Sequence, residues 1–186
     1  MECKKEEITS INTKTVFDLV QNAGNYFENQ AFLRFQEQEE IVDITYGEFV
    51  ESANAISAWL DEKMRKESRR LHVAIFGKCS YSYLAALLGS VSAGAVGIPL
   101  DVQLCGDNLA DHLNRADADI LFYDEALSQQ VEEIKSHTKN IKQFVCLQNK
   151  QKEIDVWNIV EENRNKEFVS LAKPGDCAVI IFTSGT

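Results

Sequence analysis

The sequence predicts an α/β fold: a doubly wound, largely parallel sheet with flanking helices, preceded by a small N-terminal β-hairpin. The whole reads as the incomplete N-terminal portion of a larger domain. Three observations predict this. From residue 71 onward, short apolar runs alternate with helix-patterned segments, the order that builds parallel sheets with helices on both faces. Between residues 31 and 44, two β-rich runs flank a charged tip. Finally, Ala178-Val179-Ile180-Ile181-Phe182 runs straight into Thr183-Ser184-Gly185-Thr186. That is a buried-strand pattern followed by half of a turn, so the chain is expected to be the front part of something longer.

Taken in order, residues 1–14 form a polar arm and residues 15–186 the α/β portion. Thr15 precedes Val16, Phe17, Leu19, Val20 and Ala23, which are spaced for one helix face. Ala31-Phe32-Leu33-Arg34-Phe35 and Ile41-Val42-Asp43-Ile44 pair as the hairpin. Thr45 and Glu48 make a capping box, in which the threonine hydroxyl and the glutamate carboxylate satisfy each other's backbone N–H groups. The helix they open carries Phe49, Ala53, Ile56, Trp59 and Leu60 on one face and fades over 63–70. Residues 71–76 are a buried strand, 81–93 a helix ended by Gly94, and 96–100 a strand stopped by Pro99. A helix over 108–116, a strand over 120–123, a helix over 125–137, a strand over 143–147, a helix over 154–162 and the last strand over 178–182 complete the chain.

Bulk properties narrow the function. The 186 residues carry 19 Lys and Arg against 29 Asp and Glu, a formal net charge of −10. No basic stripe exists to neutralise phosphates along a nucleic acid, so nucleic-acid binding is excluded. The basic cluster over 63–70 is interrupted by Glu67 and reads as a solvated helix end. The charged start lacks the apolar stretch of a secretory leader, and the weakly polar stretch over 83–100 suits a buried helix and strand rather than a membrane span. Cys3, Cys79, Cys105, Cys146 and Cys177 are scattered, which suggests reduced thiols in a cytoplasm. His72, His112 and His137 are isolated, so no zinc site is expected.

Three turns are candidates for phosphate. Gly77-Lys78-Cys79-Ser80 lies between strand and helix, but a Walker loop needs a glycine where His72 stands and a hydroxyl where Cys79 stands. It reads as an ordinary strand-to-helix turn. Gly89, Gly94 and Gly97 lack dinucleotide-fingerprint spacing, and packing of small residues explains them better. Thr183 to Thr186 is the third: small, rich in hydroxyls and backbone donors, and placed at the carboxyl end of a predicted parallel strand, where ligands of such sheets bind.

Ile181-Phe182-Thr183-Ser184-Gly185-Thr186 also resembles the opening of the phosphate-binding signature of the adenylate-forming enzymes, which comprise acyl-CoA synthetases, peptide-synthetase adenylation domains and luciferases. Thr45-Tyr46-Gly47-Glu48-Phe49, Ala93-Gly94-Ala95-Val96-Gly97-Ile98-Pro99-Leu100-Asp101 and Asp176-Cys177-Ala178 resemble earlier segments of that family in the right order. The resemblance implies that Thr183, Ser184, Gly185 and Thr186 hold the β- and γ-phosphates of ATP. It implies Mg²⁺, a small-molecule carboxylic acid as substrate, and coenzyme A or a carrier-protein thiol as acceptor. An acyl-CoA ligase, for a fatty acid, is the reading taken first, and an amino-acid-activating adenylation domain second. The family's adenine and ribose contacts, most of its acyl pocket, its hinge and its catalytic lysine lie further along than Thr186, so no residue here is assigned a catalytic or metal-binding role. The chain departs from the family at Val102-Gln103-Leu104-Cys105-Gly106, where a proline-rich turn is common, and at Arg69-Arg70-Leu71-His72, where Gly-Asp often precedes the strand. The 186 residues alone are expected to be inactive. Readings from other classes are a non-catalytic α/β interaction module with an acidic surface, and a nucleotide-binding regulator using the Gly77-Lys78 turn.

Overall fold

The computed structural model describes residues 12–37, 39–148 and 154–183. Helix α1 (Val16–Phe27) opens on a reciprocal cap: the Asp18 N–H donates to Thr15 Oγ1 at 3.1 Å and the Thr15 N–H donates to the Asp18 carboxylate at 2.9 Å. Strands β1 (Ala31–Glu37) and β2 (Glu40–Thr45) pair antiparallel as the hairpin. Helix α2 (Tyr46–Glu67) starts at the predicted box, with the Glu48 N–H on Thr45 Oγ1 at 3.2 Å and the Thr45 N–H on the Glu48 carboxylate at 2.8 Å. Such a cap contributes about 1 kcal/mol. The helix ends at Ser68, whose backbone is left-handed.

Helix α3 (Tyr81–Ala93) runs alongside α2 in the same direction, since Phe49 meets Tyr81 and Ser57 meets Gly89, the same sequence offset at both ends. The Ser57 hydroxyl donates to the Gly89 carbonyl at 2.7 Å. A Cβ at Gly89 would lie 2.7 Å from the Ala53 carbonyl oxygen, so the glycine permits the close approach of the two helices.

Strands β3 (His72–Phe76), β4 (Val96–Leu100), β5 (Ile120–Tyr123) and β6 (Gln143–Cys146) form a four-stranded sheet in the order β4-β3-β5-β6, parallel throughout. Alternation along the strands sorts two cores. Val73, Ile75, Ile120, Phe122 and Val145 face α2, α3 and helix α6 (Val156–Asn163). Ala74, Phe76, Ile98, Leu100, Leu121 and Tyr123 face helices α4 (Gly106–Arg115) and α5 (Ser128–Ile134). Helices on both faces of a parallel sheet make the doubly wound architecture that the alternating pattern predicts. Among the described residues no helix is long and apolar enough to cross a membrane.

Three elements differ from expectation. Pro99 does not stop β4 but lies within it, opposite Ile75. Gly97 and Pro99 face the outer edge of the sheet, where a missing N–H breaks no bond to β3. The helix expected over 125–137 is split: a 3₁₀ turn over Glu125–Leu127, α5, and a second 3₁₀ turn over Lys135–His137. Its apolar face is short, with only Val131 and Ile134 of these segments buried, too little to hold a continuous three-turn helix against the sheet. The expected strand over 178–182 is extended but joins the sheet through a single parallel bridge, Val179 to Gly97.

One ion pair fastens the amino ends of the strands. Arg69 grips the buried Asp119 with both Nη atoms, at 2.9 and 2.5 Å, and the His72 N–H donates to the same carboxylate at 2.9 Å. Burial pushes the Asp119 carboxyl up, but the Arg69 fork and the His72 N–H outweigh it and hold the group below its ordinary value of 3.8. A depressed carboxylate stabilises the fold fully above the unfolded value, and the contribution is lost as pH falls through the folded one. Arg69→Ala is expected to cost about 2 kcal/mol in urea unfolding near neutral pH, because it strands a buried charge. The variant is also expected to show a shallower loss of stability below about pH 4 than the parent.

Candidate functional site at the carboxyl edge of the sheet

The segment leading to Thr183 is laid along the end of α3 and the outer edge of β4. Ser170 Oγ donates to the Ser92 carbonyl at 2.6 Å and the Leu171 N–H to the Ala93 carbonyl at 3.0 Å. Gly94 then adopts φ +99°, and a Cβ there would lie 2.6 Å from the Ala172 nitrogen. Glycine is required twice over at this position, for the left-handed backbone and for the chain that crosses it. Beyond the turn at Gly175, the Gly97 N–H donates to the Ala178 carbonyl and the Ile180 N–H to the Gly97 carbonyl, each at 2.9 Å.

The alternation of this edge segment is clear. Ile180 and Phe182 pack into the core on the α4 face, while Val179 and Ile181 are 38% and 68% exposed. The expected buried strand is thus buried on one face only. Phe182 meets His112 edge-on at 4.5 Å between ring centroids, and the Arg115 guanidinium lies 5.9 Å from its ring centre. Phe182 thus anchors the chain one residue before Thr183, which is exposed at the carboxyl end of the sheet. Ser184, Gly185 and Thr186, the other expected phosphate contacts, lie outside the described residues.

The Gly77-Lys78 turn is already occupied. The Lys78 N–H donates to an Asp124 carboxylate oxygen at 2.7 Å, and a Cβ at Gly77 would sit 2.7 Å from Asp124 Cγ. Asp124 is 4% exposed at the end of β5. β3 and β5 flank the point where the sheet's winding reverses, the usual ligand crevice of such folds. A buried carboxylate there takes a phosphate's place and its charge opposes one.

Sequence reasoning passed over a second concavity. A cavity of about 750 Å³ lies between the hairpin and the amino end of α3, lined by Leu33, Phe35, Val42 and Ile44 and by Tyr81 and Trp157. The signal was present: Leu33 pairs with Ile44 and Phe35 with Val42, so four apolar side chains share one hairpin face. Tyr81 and Trp157 close it with ring centroids 4.9 Å apart, and the Tyr81 hydroxyl is held by Ser52 at 2.7 Å. Burial pushes the Tyr81 phenol up from its ordinary range.

A doubly wound parallel sheet with a segment laid along its outer edge and Thr183 at the carboxyl end belongs to the class of open α/β proteins, whose ligands bind beyond the carboxyl ends of the strands. The model of the AMP-binding enzyme family matches residues 20–186, and the chain belongs to that family. It is 27% identical over 143 residues to the polyketide synthase-nonribosomal peptide synthetase ffsA of Aspergillus flavipes, a match covering 77% of this chain and 3% of that protein. Its fold is similar to the A-PCP didomain of carboxylic acid reductase from Segniliparus rugosus, solved in complex with AMP: TM-score 0.79, 13% identity, covering 96% of this chain and 31% of that one. A Mycobacterium tuberculosis fatty acyl CoA synthetase gives TM-score 0.73 at 15% identity, over 94% of this chain and 34% of that one. The chain thus spans a small part of the synthase and about a third of the solved structures.

Gly94→Ala is expected to destabilise the chain by about 2 kcal/mol in chemical denaturation, through left-handed strain and the clash with Ala172. The Leu171 amide should exchange faster with solvent in that variant, since its bond to the Ala93 carbonyl depends on the same crossing.

Proposed function

We propose that this chain is the N-terminal part of an ATP-dependent carboxylate-activating enzyme. A carboxylate oxygen attacks the α-phosphorus of ATP, giving an acyl-adenylate and releasing pyrophosphate. A thiol then attacks the acyl carbon and releases AMP. The observation that carries this reading is family membership over residues 20–186, with Thr183, the first residue of Thr183-Ser184-Gly185-Thr186, at the carboxyl edge of the sheet. Thr183 and Thr186 would supply hydroxyl donors and Ser184 and Gly185 would add donors without bulk, all toward the β- and γ-phosphates. Their task is to hold the phosphates in line and offset the charge that builds on the departing pyrophosphate.

Among the described residues no group of three or more His, Cys, Asp or Glu side chains is placed to hold a metal. Mg²⁺ would bridge the phosphates, as it commonly does beside nucleotides. Coenzyme A is the proposed thiol and a fatty acid the proposed substrate class. Fold similarity to a fatty acyl CoA synthetase supports that assignment. A second reading, activation of an amino acid for a carrier-protein thiol, is favoured by the sequence relationship to a nonribosomal peptide synthetase.

The test is acid-dependent exchange of radiolabelled pyrophosphate into ATP by the full-length gene product, with fatty acids and amino acids in parallel. Exchange driven by fatty acids, followed by coenzyme A-dependent turnover, supports the first reading. Exchange with amino acids alone moves the assignment to the second. Silence with every acid removes both. Thr183→Ala is expected to raise the KM for ATP roughly tenfold, the effect of losing one charge-assisted hydrogen bond. The isolated 186 residues are expected to show no exchange above a blank without acid.

A further inference from the structure

We propose that the cavity between the hairpin and the amino end of α3 is a binding site for a neutral, flat, largely apolar small molecule. Its volume of about 750 Å³ lies within the range of small-ligand sites, roughly 300–1,000 Å³. One wall is the hairpin face on which Leu33 stands opposite Ile44 and Phe35 opposite Val42. The other is made by Tyr81 and Trp157.

Both aromatic side chains are set in place by the chain itself. The Tyr81 hydroxyl bonds Ser52 at 2.7 Å and donates to the Glu48 carbonyl at 3.3 Å. Glu48 closes the cap at Thr45, the last residue of β2, so this wall is tied to the helix that starts where the hairpin ends. The Trp157 backbone N–H donates at 2.7 Å to Asp155, which is fully buried. A ligand entering here has little of the wall left to order.

The wall also specifies the occupant's charge. Among the described residues Arg34 is its one charged member, and the Asp43 carboxylate holds both Nε and Nη2 of that guanidinium, at 2.6 and 2.7 Å. The hydroxyls are committed as well: Ser80 accepts the Tyr83 N–H at 3.2 Å and meets Ser82 at 3.1 Å. A charged ligand would lose hydration and gain no counter-charge, whereas an aromatic ring gains contact with rings and branched side chains. Gln148, exposed at the rim, leaves room for one hydrogen-bonding group. The cavity of about 580 Å³ at the amino ends of the strands is different in kind, with Arg69, Asp119 and Lys142 in its wall. Leu33, Ile44, Tyr81 and Trp157 pack on the core shared by α2, α3 and α6, while Phe182 packs on the opposite side of the sheet. The inference therefore stands apart from the adenylate-forming reading.

The test uses Cys79, which is exposed and lines the cavity, as a reporter. Cys105 and Cys177 are exposed elsewhere and Cys146 is buried, so they serve as controls. The full-length protein is treated with N-phenylmaleimide, with and without the neutral aromatic probe N-phenyl-1-naphthylamine. Labelling of each cysteine is followed by peptide mass spectrometry. The probe is expected to slow labelling of Cys79 by about fivefold or more and to leave Cys105 and Cys177 unchanged, while saturating ATP protects none of them. Val42→Trp, which fills the cavity, should slow Cys79 without the probe and leave the probe nothing to add. Phe35→Ser, at a position 36% exposed, should raise the probe concentration for half-protection by about fivefold. Cys146 remaining unlabelled reports an intact fold in each variant; if Val42→Trp exposes it, Phe35→Ser decides. Equal labelling of wild-type Cys79 with and without the probe overturns the proposal. So does equal protection of all three exposed cysteines, protection of Cys79 by ATP, or undiminished protection in folded Phe35→Ser.

Discussion

The site depends on how much hydrogen bonding the outer edge of β4 can offer. In a parallel ladder, alternate residues of a strand address alternate neighbours. Gly97 and Pro99 are the residues of β4 that address the outside, and Gly97 satisfies the edge segment on both its N–H and its carbonyl. Pro99 cannot donate. The incoming chain is therefore bound through one residue and released, and it reaches Thr183 at the strand ends. A longer ladder would carry the chain into regular strand geometry and turn its hydroxyls up and down with the pleat. Instead, side-chain packing of Ile180 and Phe182 takes over where backbone pairing stops.

Most of the architecture was legible because its signals are local. The Thr45 and Glu48 box, the Gly94 cap and the four apolar runs that became β3 to β6 are each readable within a few residues, and each lies where the pattern placed it. The cap at Thr15 uses Asp18 in place of Glu, and the threonine alone was enough to place the helix start. What the pattern misjudged was decided at a distance. Residues 178–182 have the composition of a buried strand, but burial needs a neighbour on each face, and among the described residues Val179 and Ile181 are exposed. Pro99 reads as a stop from its own chemistry, and only the strand order reveals that its blank side faces outward.

The candidate site was half legible. Thr183 is at the carboxyl end of the sheet, as the strand-to-loop pattern implied. The residues that hold the segment leading to it were not foreseen, because they come from far along the chain: Arg70 reaches Cys177, and His112 and Arg115 meet Phe182. Nothing in the spacing of an arginine after a helix marks it as a clamp on a segment a hundred residues later. The cleft under the hairpin was missed for the opposite reason. Its residues alternate openly, but alternation signifies a covered face, and the cover turned out to stand off the hairpin.

Asp124 gives the fold an independence that a nucleotide-dependent sheet lacks. In many doubly wound proteins the turn after the first parallel strand is completed by the ligand's phosphate, so the free protein carries unsatisfied donors and gains stability as nucleotide concentration rises. Here the Lys78 N–H is satisfied from within by a carboxylate on β5. That donor at the crevice between β3 and β5 therefore waits for no phosphate, while the other Asp124 carboxylate oxygen is buried without a hydrogen-bond partner. The turn after β3 thus keeps its shape on the chain's own carboxylate, with no donor at the Lys78 N–H left to be completed from outside.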